Sequence, residues 1–174
     1  MIVDPTLALR FINTYTTFLG SLVNEQEKSK EQSIRPSIHQ LIKGREYYLA
    51  DRTALTRYRI AHPQADADIL DAIAALRVEH WVYLKDTRSY SVWLDEQGQA
   101  AYGVLGLTDR LRMVTQGHAG AVLMAGLMPL QGRWVSDALI QDFVLLGPNY
   151  RRDYNAIYRD LRAQDLFSLG PTKV

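Results

Sequence analysis

Leu7, Phe11, Ile12, Tyr15, Phe18, Leu19, Leu22 and Val23 recur at three- and four-residue spacings, the pattern that lines one face of an α-helix. It predicts a helix opening at Asp4-Pro5, where Asp caps free N–H groups and Pro at the first helical position loses no hydrogen bond. The apolar stripe has to bury against something, either the protein's own sheet or a partner. Residues 24–35 are polar and mixed in charge, and read as an extension of this helix or as a loop. Pro36 opens a short helix through Ile38, Leu41 and Ile42, which Gly44 is expected to stop. Residues 45–62 fit helix and irregular chain equally well, up to the break at His62-Pro63. Another helix is expected from Ala65, with Asp66, Asp68 and Asp71 near its positive end and Ile69, Leu70, Ile73, Ala74 and Leu76 as its apolar side.

After residue 78 the period changes. Residues 79–86 and 90–95 are rich in aromatic and β-branched residues and flank Asp86-Thr87-Arg88-Ser89, which predicts a hairpin. Its tight turn suggests a register in which Trp81, Tyr83 and Lys85 oppose Leu94, Val92 and Tyr90. On the other face His80, Val82 and Leu84 would oppose Asp95, Trp93 and Ser91. Asp95-Glu96-Gln97-Gly98 makes the next turn. Strands are then expected over 101–108, 120–128 and 133–146, the last two joined by Pro129-Leu130-Gln131-Gly132. Gly147-Pro148 ends the sheet. Asn149 is placed to cap a last helix with the stripe Tyr150, Tyr154, Ile157, Tyr158 and Leu161.

Helices first, strands next and a closing helix make an α+β fold: N-terminal helices, a five-stranded antiparallel sheet and a C-terminal helix. The expectation is a single domain over 1–174, mainly helical over 1–78, sheet over 79–147, closing helix over 148–165 and a loose tail over 166–174. Neither face of the predicted strands is plainly polar. A solvent-facing antiparallel sheet alternates more cleanly, so the sheet is expected to be covered on both faces or to curl around something. Gly103, Gly106 and Gly126 lie within predicted strands, where glycine marks a bulge, a bend or a close approach.

Composition narrows the chemistry. The formal net charge of +1 supplies no global field toward nucleic acid or an anionic membrane. The chain has no cysteine, which removes disulfides, thiolate metal sites and a cysteine nucleophile and suits a reducing compartment. Residues 1–5 lack a basic region followed by an apolar block, so no secretory signal and a cytoplasmic location are expected. His39, His62, His80 and His118 fall in no metal-ligand spacing, so no metal is assigned. No cofactor is assigned, and phosphate-loop, dinucleotide and nucleophile-elbow patterns are absent.

The most unusual local choice is Gly147-Pro148-Asn149-Tyr150-Arg151-Arg152-Asp153. Two arginines sit in the first turn of a helix, at its already positive end. A bound anion would compensate them, since arginine forks and helix N-termini both favour phosphate or carboxylate; ordinary ion pairs to Asp137, Asp142 or Asp153 would do the same. Arg151, Arg152 and Asn155 are therefore the first candidates for a ligand site, with Asp137, Arg133 and His118 as further members. Asp137 stands inside an otherwise apolar strand and needs a partner if buried. Lys85, Asp86, Thr87, Arg88, Asp109 and Arg110 gather at predicted turns.

The favoured expectation is a non-catalytic domain that binds a small anionic ligand or a partner, a second copy of the chain included. An enzyme using Asp137, His118 or His80 as acid–base groups is the first alternative. A nucleic-acid module using Arg45, Tyr47, Tyr48, Arg52, Arg57, Tyr58 and Arg59 is the second, diluted by Glu46 and Asp51. An interaction protein docking through the Leu7–Val23 stripe is the third.

Overall fold

The structure, a computed structural model, describes residues 2–27 and 36–171 of the 174-residue chain. It is α+β and divides into two compact units, Thr6–Ala75, which is helical, and Met1–Pro5 with Leu76–Val174, which holds the sheet. Among the described residues no helix is long and apolar enough to cross a membrane.

In the helical unit, α1 spans Pro5–Glu27 and buries Leu7, Phe11, Tyr15, Phe18, Leu19, Leu22 and Val23, the stripe its spacing predicts. Of the polar segment that follows, residues 28–35 lie outside the described residues. Helix α2, Ile38–Ala50, starts one residue beyond Ser37. The Gln40 N–H donates to the Ser37 hydroxyl at 3.3 Å, and the Ser37 N–H donates to the Gln40 side-chain oxygen at 2.8 Å, a reciprocal cap that satisfies two otherwise orphaned donors. This helix runs through Gly44 instead of ending there. Gly44 is buried, and a Cβ at that position would meet the Leu19 carbonyl of α1. Its glycine therefore serves close helix packing, and the same missing side chain that signals a stop in sequence signals a contact in space. Residues 45–62 resolve into the end of α2 and a short helix, α3, Ala54–Ala61. Tyr48 and Tyr58 from these helices pack edge-on against Phe18 with ring centroids 5.2 and 5.1 Å away. Helix α4, Ala67–Ala74, is capped by Asp66, which accepts from the Ile69 N–H and from Arg10.

The second unit contains β1 (Arg77–Asp86), β2 (Ser91–Asp95), β3 (Ala101–Leu105), a single turn of helix α5 (Leu111–Val114), β4 (Ala121–Leu130), β5 (Arg133–Ser136), β6 (Gln141–Leu145), α6 (Pro148–Ala163) and β7 (Phe167–Ser168). Neighbouring strands follow the order β1-β2-β3-β5-β4-β6, and β1 also pairs with β4. That extra pairing, Arg77 opposite Leu127 through Tyr83 opposite Ala121, closes β1, β2, β3, β5 and β4 into a ring. Closure covers the sheet edges that β1 and β4 would otherwise leave bare.

Among the described residues the sheet is mixed and has seven strands, not five antiparallel ones. β3 runs parallel to β5 and to β7, because the β4–β5 hairpin returns the chain beside β3 in the direction β3 already takes. The hairpin turns on Gln131 and Gly132, both at positive φ (48° and 73°), the two-residue geometry whose twist matches the strands. The predicted strand over 133–146 is split in two at 137–140. β7 forms within the segment read as tail.

The first hairpin adopts a register one residue away from the predicted one. Trp81 lies opposite Asp95, Val82 opposite Leu94 and Tyr83 opposite Trp93; an irregularity at Leu84 then shifts Lys85 to Val92 and Asp86 to Ser91. A shift of one residue exchanges faces. Here it brings Trp81, Tyr83 and Trp93 together with Tyr102, Leu123, Ala125 and Leu127 in one buried cluster. Trp81 meets Tyr102 edge-on at 5.4 Å and donates its indole N–H to the Ala125 carbonyl at 3.0 Å. The opposite face carries Val82, Leu84, Val92, Leu94 and Ala101, covered by Tyr158 and Leu161 of α6. Both faces are thus buried, one by the ring's own side chains and the other by a helix.

Helix α6 begins at Pro148, with Gly147 in the capping position that the sequence assigns to Asn149. Its stripe uses Tyr154, Ile157, Tyr158 and Leu161, while Tyr150 stands in solvent.

Candidate binding site at one end of the barrel

Gly120 organises the end of the barrel from which β4 departs. Its φ is +73°, a conformation that glycine adopts without a Cβ penalty. The Gly120 N–H donates to the Tyr83 carbonyl at 2.9 Å, and its own carbonyl accepts from the Leu146 N–H at 2.8 Å. The side chain of Arg151, from the first turn of α6, lies across the space that a Cβ on Gly120 would occupy. The missing side chain therefore lets a guanidinium lie on the sheet backbone.

Asn155 stands one helical turn further on. Its amide donates to the Arg151 carbonyl at 2.7 Å, and its side-chain oxygen accepts from Lys85 Nζ at 3.1 Å. Lys85 also sits 5.0 Å from the centre of the Tyr158 ring, a favourable cation–aromatic placement. His118, two residues before Gly120, is exposed, with its ring 6.4 Å from that of Phe143. Its backbone carbonyl accepts from the Thr115 hydroxyl at 2.6 Å. Arg112 donates from Nε to the Gly117 carbonyl at 3.0 Å. No carboxylate among the described residues comes within 4.0 Å of the Arg151 guanidinium.

Beneath these cations the Tyr83 hydroxyl donates to Asp86 at 3.0 Å, and the Ser91 hydroxyl donates to the same oxygen at 2.6 Å. Burial pushes the Tyr83 phenol well above its ordinary pKa, and the Asp86 charge pushes it further. Tyr83 is therefore a fixed hydrogen-bond donor at neutral pH, not a base.

Of the candidates named from sequence, Arg151, Asn155 and His118 share this end. Arg152 is exposed and 3.5 Å from Asp153. Arg133 lies at the far end of β4, beyond the hairpin, donating to the Leu169 carbonyl at 3.2 Å. Asp137 is buried, and one carboxylate oxygen accepts from the Gly126 and Leu139 N–H groups at 2.9 and 3.1 Å. It holds the break between β5 and β6, with Ala138 at a φ of 60°, and a Cβ on Gly126 would collide with it. Lys85, which the sequence places only among charged turn residues, joins the site from the next-to-last position of β1, and that position at a strand end is the signal the sequence offers.

His80 lies 3.8 Å from Asp142, both exposed, so Asp137, His118 and His80 have three separate environments. Among the described residues no group of three or more His, Asp or Glu side chains is placed to hold a metal. In the Arg- and Tyr-rich stretch, Arg45, Tyr48 and Tyr58 are buried, Arg52 stacks on Tyr48 at 4.6 Å, Arg57 pairs with Asp51 at 2.9 Å and Arg59 with Asp71 at 2.7 Å. Grooves of about 400 and about 300 Å³ open on the helical unit, the first between Tyr48, Arg52, Leu55 and Arg59 and the second between Leu22, Arg57, Tyr58 and His62.

The chain matches no family model, no curated protein and no solved structure.

Proposed function

We propose that this protein is a non-catalytic binding domain whose barrel end takes an anionic group, a carboxylate or a phosphate, against Arg151. The observation that carries the reading is the guanidinium laid over Gly120 with no carboxylate within 4.0 Å among the described residues. An arginine without an acid partner retains its fork of donors for a planar or tetrahedral anion. Lys85, held by Asn155, adds a second positive charge from the neighbouring strand, and Arg112 and His118 lie on the segment that leads into Gly120. Fixed donors and cations without a nucleophile or a poised base suit binding better than bond-breaking.

Thermal unfolding in inorganic pyrophosphate, against sodium chloride of equal ionic strength, tests the reading. A ligand that binds only the folded state raises the midpoint. The rise is expected in the wild type and in Arg152→Glu, and is expected to vanish in Arg151→Glu. An Arg151→Glu protein stabilised as much as the wild type refutes the assignment.

A further inference from the structure

The groove of about 300 Å³ on the helical unit is at the lower end of the size range of small-molecule sites. Residues of α1 and α3 line it. On α3, Ala54, Arg57, Tyr58 and Ala61 follow the spacing of one helix face. Two of these four are alanines, which leave the space between the helices open. On α1, Ser21 and Glu25 stand one turn apart beside Leu22. The lining is therefore partly apolar, with a few polar groups turned toward a common space.

Those polar groups are mostly acceptors with capacity to spare. Tyr58 is 8% exposed, its ring edge-on to Phe18 and 4.3 Å from that of His62. Its hydroxyl makes no hydrogen bond among the described residues, an uncommon state for a phenol this deeply buried. Burial pushes that phenol above its ordinary pKa, so at neutral pH it is an uncharged hydroxyl. Ser21 donates its own proton to the Phe18 carbonyl at 2.7 Å and keeps its lone pairs. Arg57 is committed: its Nη1 donates to Asp51 at 2.9 Å and to the Thr53 hydroxyl at 2.8 Å. Among the described residues Glu25 meets only the other nitrogen of Arg57, at 4.0 Å, beyond hydrogen-bond distance. Two carboxylates thus share one guanidinium, and the excess charge is negative, the reverse of the barrel end.

We propose that this groove is a second binding site, for a small organic amine with an apolar body. The protonated amine takes Glu25 as its counter-charge and donates to the Tyr58 and Ser21 oxygens, while the body lies on Leu22 and the two alanines. An ammonium carries three donors and no acceptor, the complement of what these residues offer. The site involves no residue of the barrel unit and stands or falls independently of Arg151.

Titration of benzylamine into the isotope-labelled full chain at neutral pH, followed by its amide resonances, is the test. Benzyl alcohol, the same body without the charge, is the control. Binding in the millimolar range is expected for so small a ligand. Benzylamine is expected to shift the Ser21, Glu25, Tyr58 and His62 signals saturably, and benzyl alcohol to bind about tenfold more weakly. Glu25→Gln keeps the shape of an exposed side chain and removes its charge; it is expected to weaken the amine about tenfold and to leave the alcohol unchanged. Tyr58→Phe retains the ring against Phe18 and is expected to weaken the amine several-fold. Asp68→Asn, which removes an acid of α4 outside the groove, is expected to bind as the wild type does, so that net charge alone is not the cause. The same spectra report whether each variant is folded. No saturable shift at the four residues up to about 100 mM, or equal affinity for amine and alcohol, would overturn the proposal. So would a folded Glu25→Gln or Tyr58→Phe protein that binds benzylamine like the wild type, or an Asp68→Asn protein weakened as much as Glu25→Gln.

Discussion

The two units use glycine and charge in opposite ways. In the helical unit Gly44 brings one helix against another, and three arginines meet carboxylates: Arg10 meets Asp66 at 2.7 Å, Arg57 meets Asp51 and Arg59 meets Asp71. In the barrel unit Gly120 brings an arginine onto a strand, and that arginine has no carboxylate near it among the described residues. Ordinary exposed ion pairs contribute a fraction of a kcal/mol, so neither pattern decides stability. What separates the units is that three exposed arginines of the helical unit meet carboxylates, while Arg151 of the barrel unit lies on the Gly120 backbone with none within 4.0 Å among the described residues. The contrast marks Arg151 as a candidate by the carboxylate it lacks among the described residues and not by a local excess of charge, which the Arg45–Arg59 stretch has in greater measure.

The contrast can be broken at its core first. All three tryptophans, Trp81, Trp93 and Trp134, belong to the barrel unit, so tryptophan fluorescence excited at the red edge of the absorption band follows that unit alone. Trp81→Ala empties a fully buried position inside the ring and is expected to cost about 3–5 kcal/mol, read in denaturant titrations followed by fluorescence of the remaining tryptophans. A loss under about 1 kcal/mol would mean that the ring does not depend on its aromatic filling.

Gly44→Ala sharpens the comparison, because propensity and packing disagree on its sign. In a solvent-exposed helix interior, alanine is better than glycine by about 1 kcal/mol. Against the Leu19 carbonyl a Cβ has no room, and overpacking of this kind costs about 1–3 kcal/mol. A lower midpoint in the helical signal at 222 nm is expected, and a higher one would show that the two helices separate without penalty.

The smallest effect is that of pH. The Arg10 hydrogen bond holds the Asp66 carboxyl below its usual range, and the Thr53 hydroxyl does so for Asp51, helped by Arg57. A depressed native value means stability that is present above about pH 4, the ordinary carboxyl range, and lost as pH falls through the native values. Asp66→Asn should flatten the acid limb of the 222 nm melting curve, and an unchanged limb would assign acid sensitivity elsewhere. The barrel's counterpart is alkaline: the raised Tyr83 value contributes stability present below about pH 10 and lost above it.

Element type was legible wherever the period was local. The stripe from Leu7 to Val23, the acidic start of α4, the turn at Gly98 and the apolar side of α6 all follow from spacing a few residues long, although α4 begins two residues later than expected, with Asp66 as its cap. Misread features had causes outside their own segment. Gly44 runs on as helix because of Leu19. The first hairpin shifts because the ring interior needs Trp81 and Trp93 on one face, a requirement set by β3 and β4. The strand after Arg133 breaks because Asp137 is answered by the Gly126 amide on β4. Parallel pairing of β3 with β5 has no local signature at all, nor does β7. For the site, the arginine-bearing first turn was readable as an oddity. That Arg151 lies over Gly120 was not, since no periodicity links positions so far apart.

Closure of the ring also constrains how the chain reaches its native state. Arg77 and Leu127 are partners, and β5 must emerge before β3 acquires its second neighbour. Contacts between residues this distant in sequence carry a large loop-closure cost before they yield any gain. During synthesis the first hairpin can form early and then wait, half its aromatic surface bare, until the hairpin at Gln131-Gly132 has left the ribosome. The slow step of folding should therefore be the arrival of β4 and β5, a single event that seals the tryptophans and lays down the backbone on which Arg151 comes to rest.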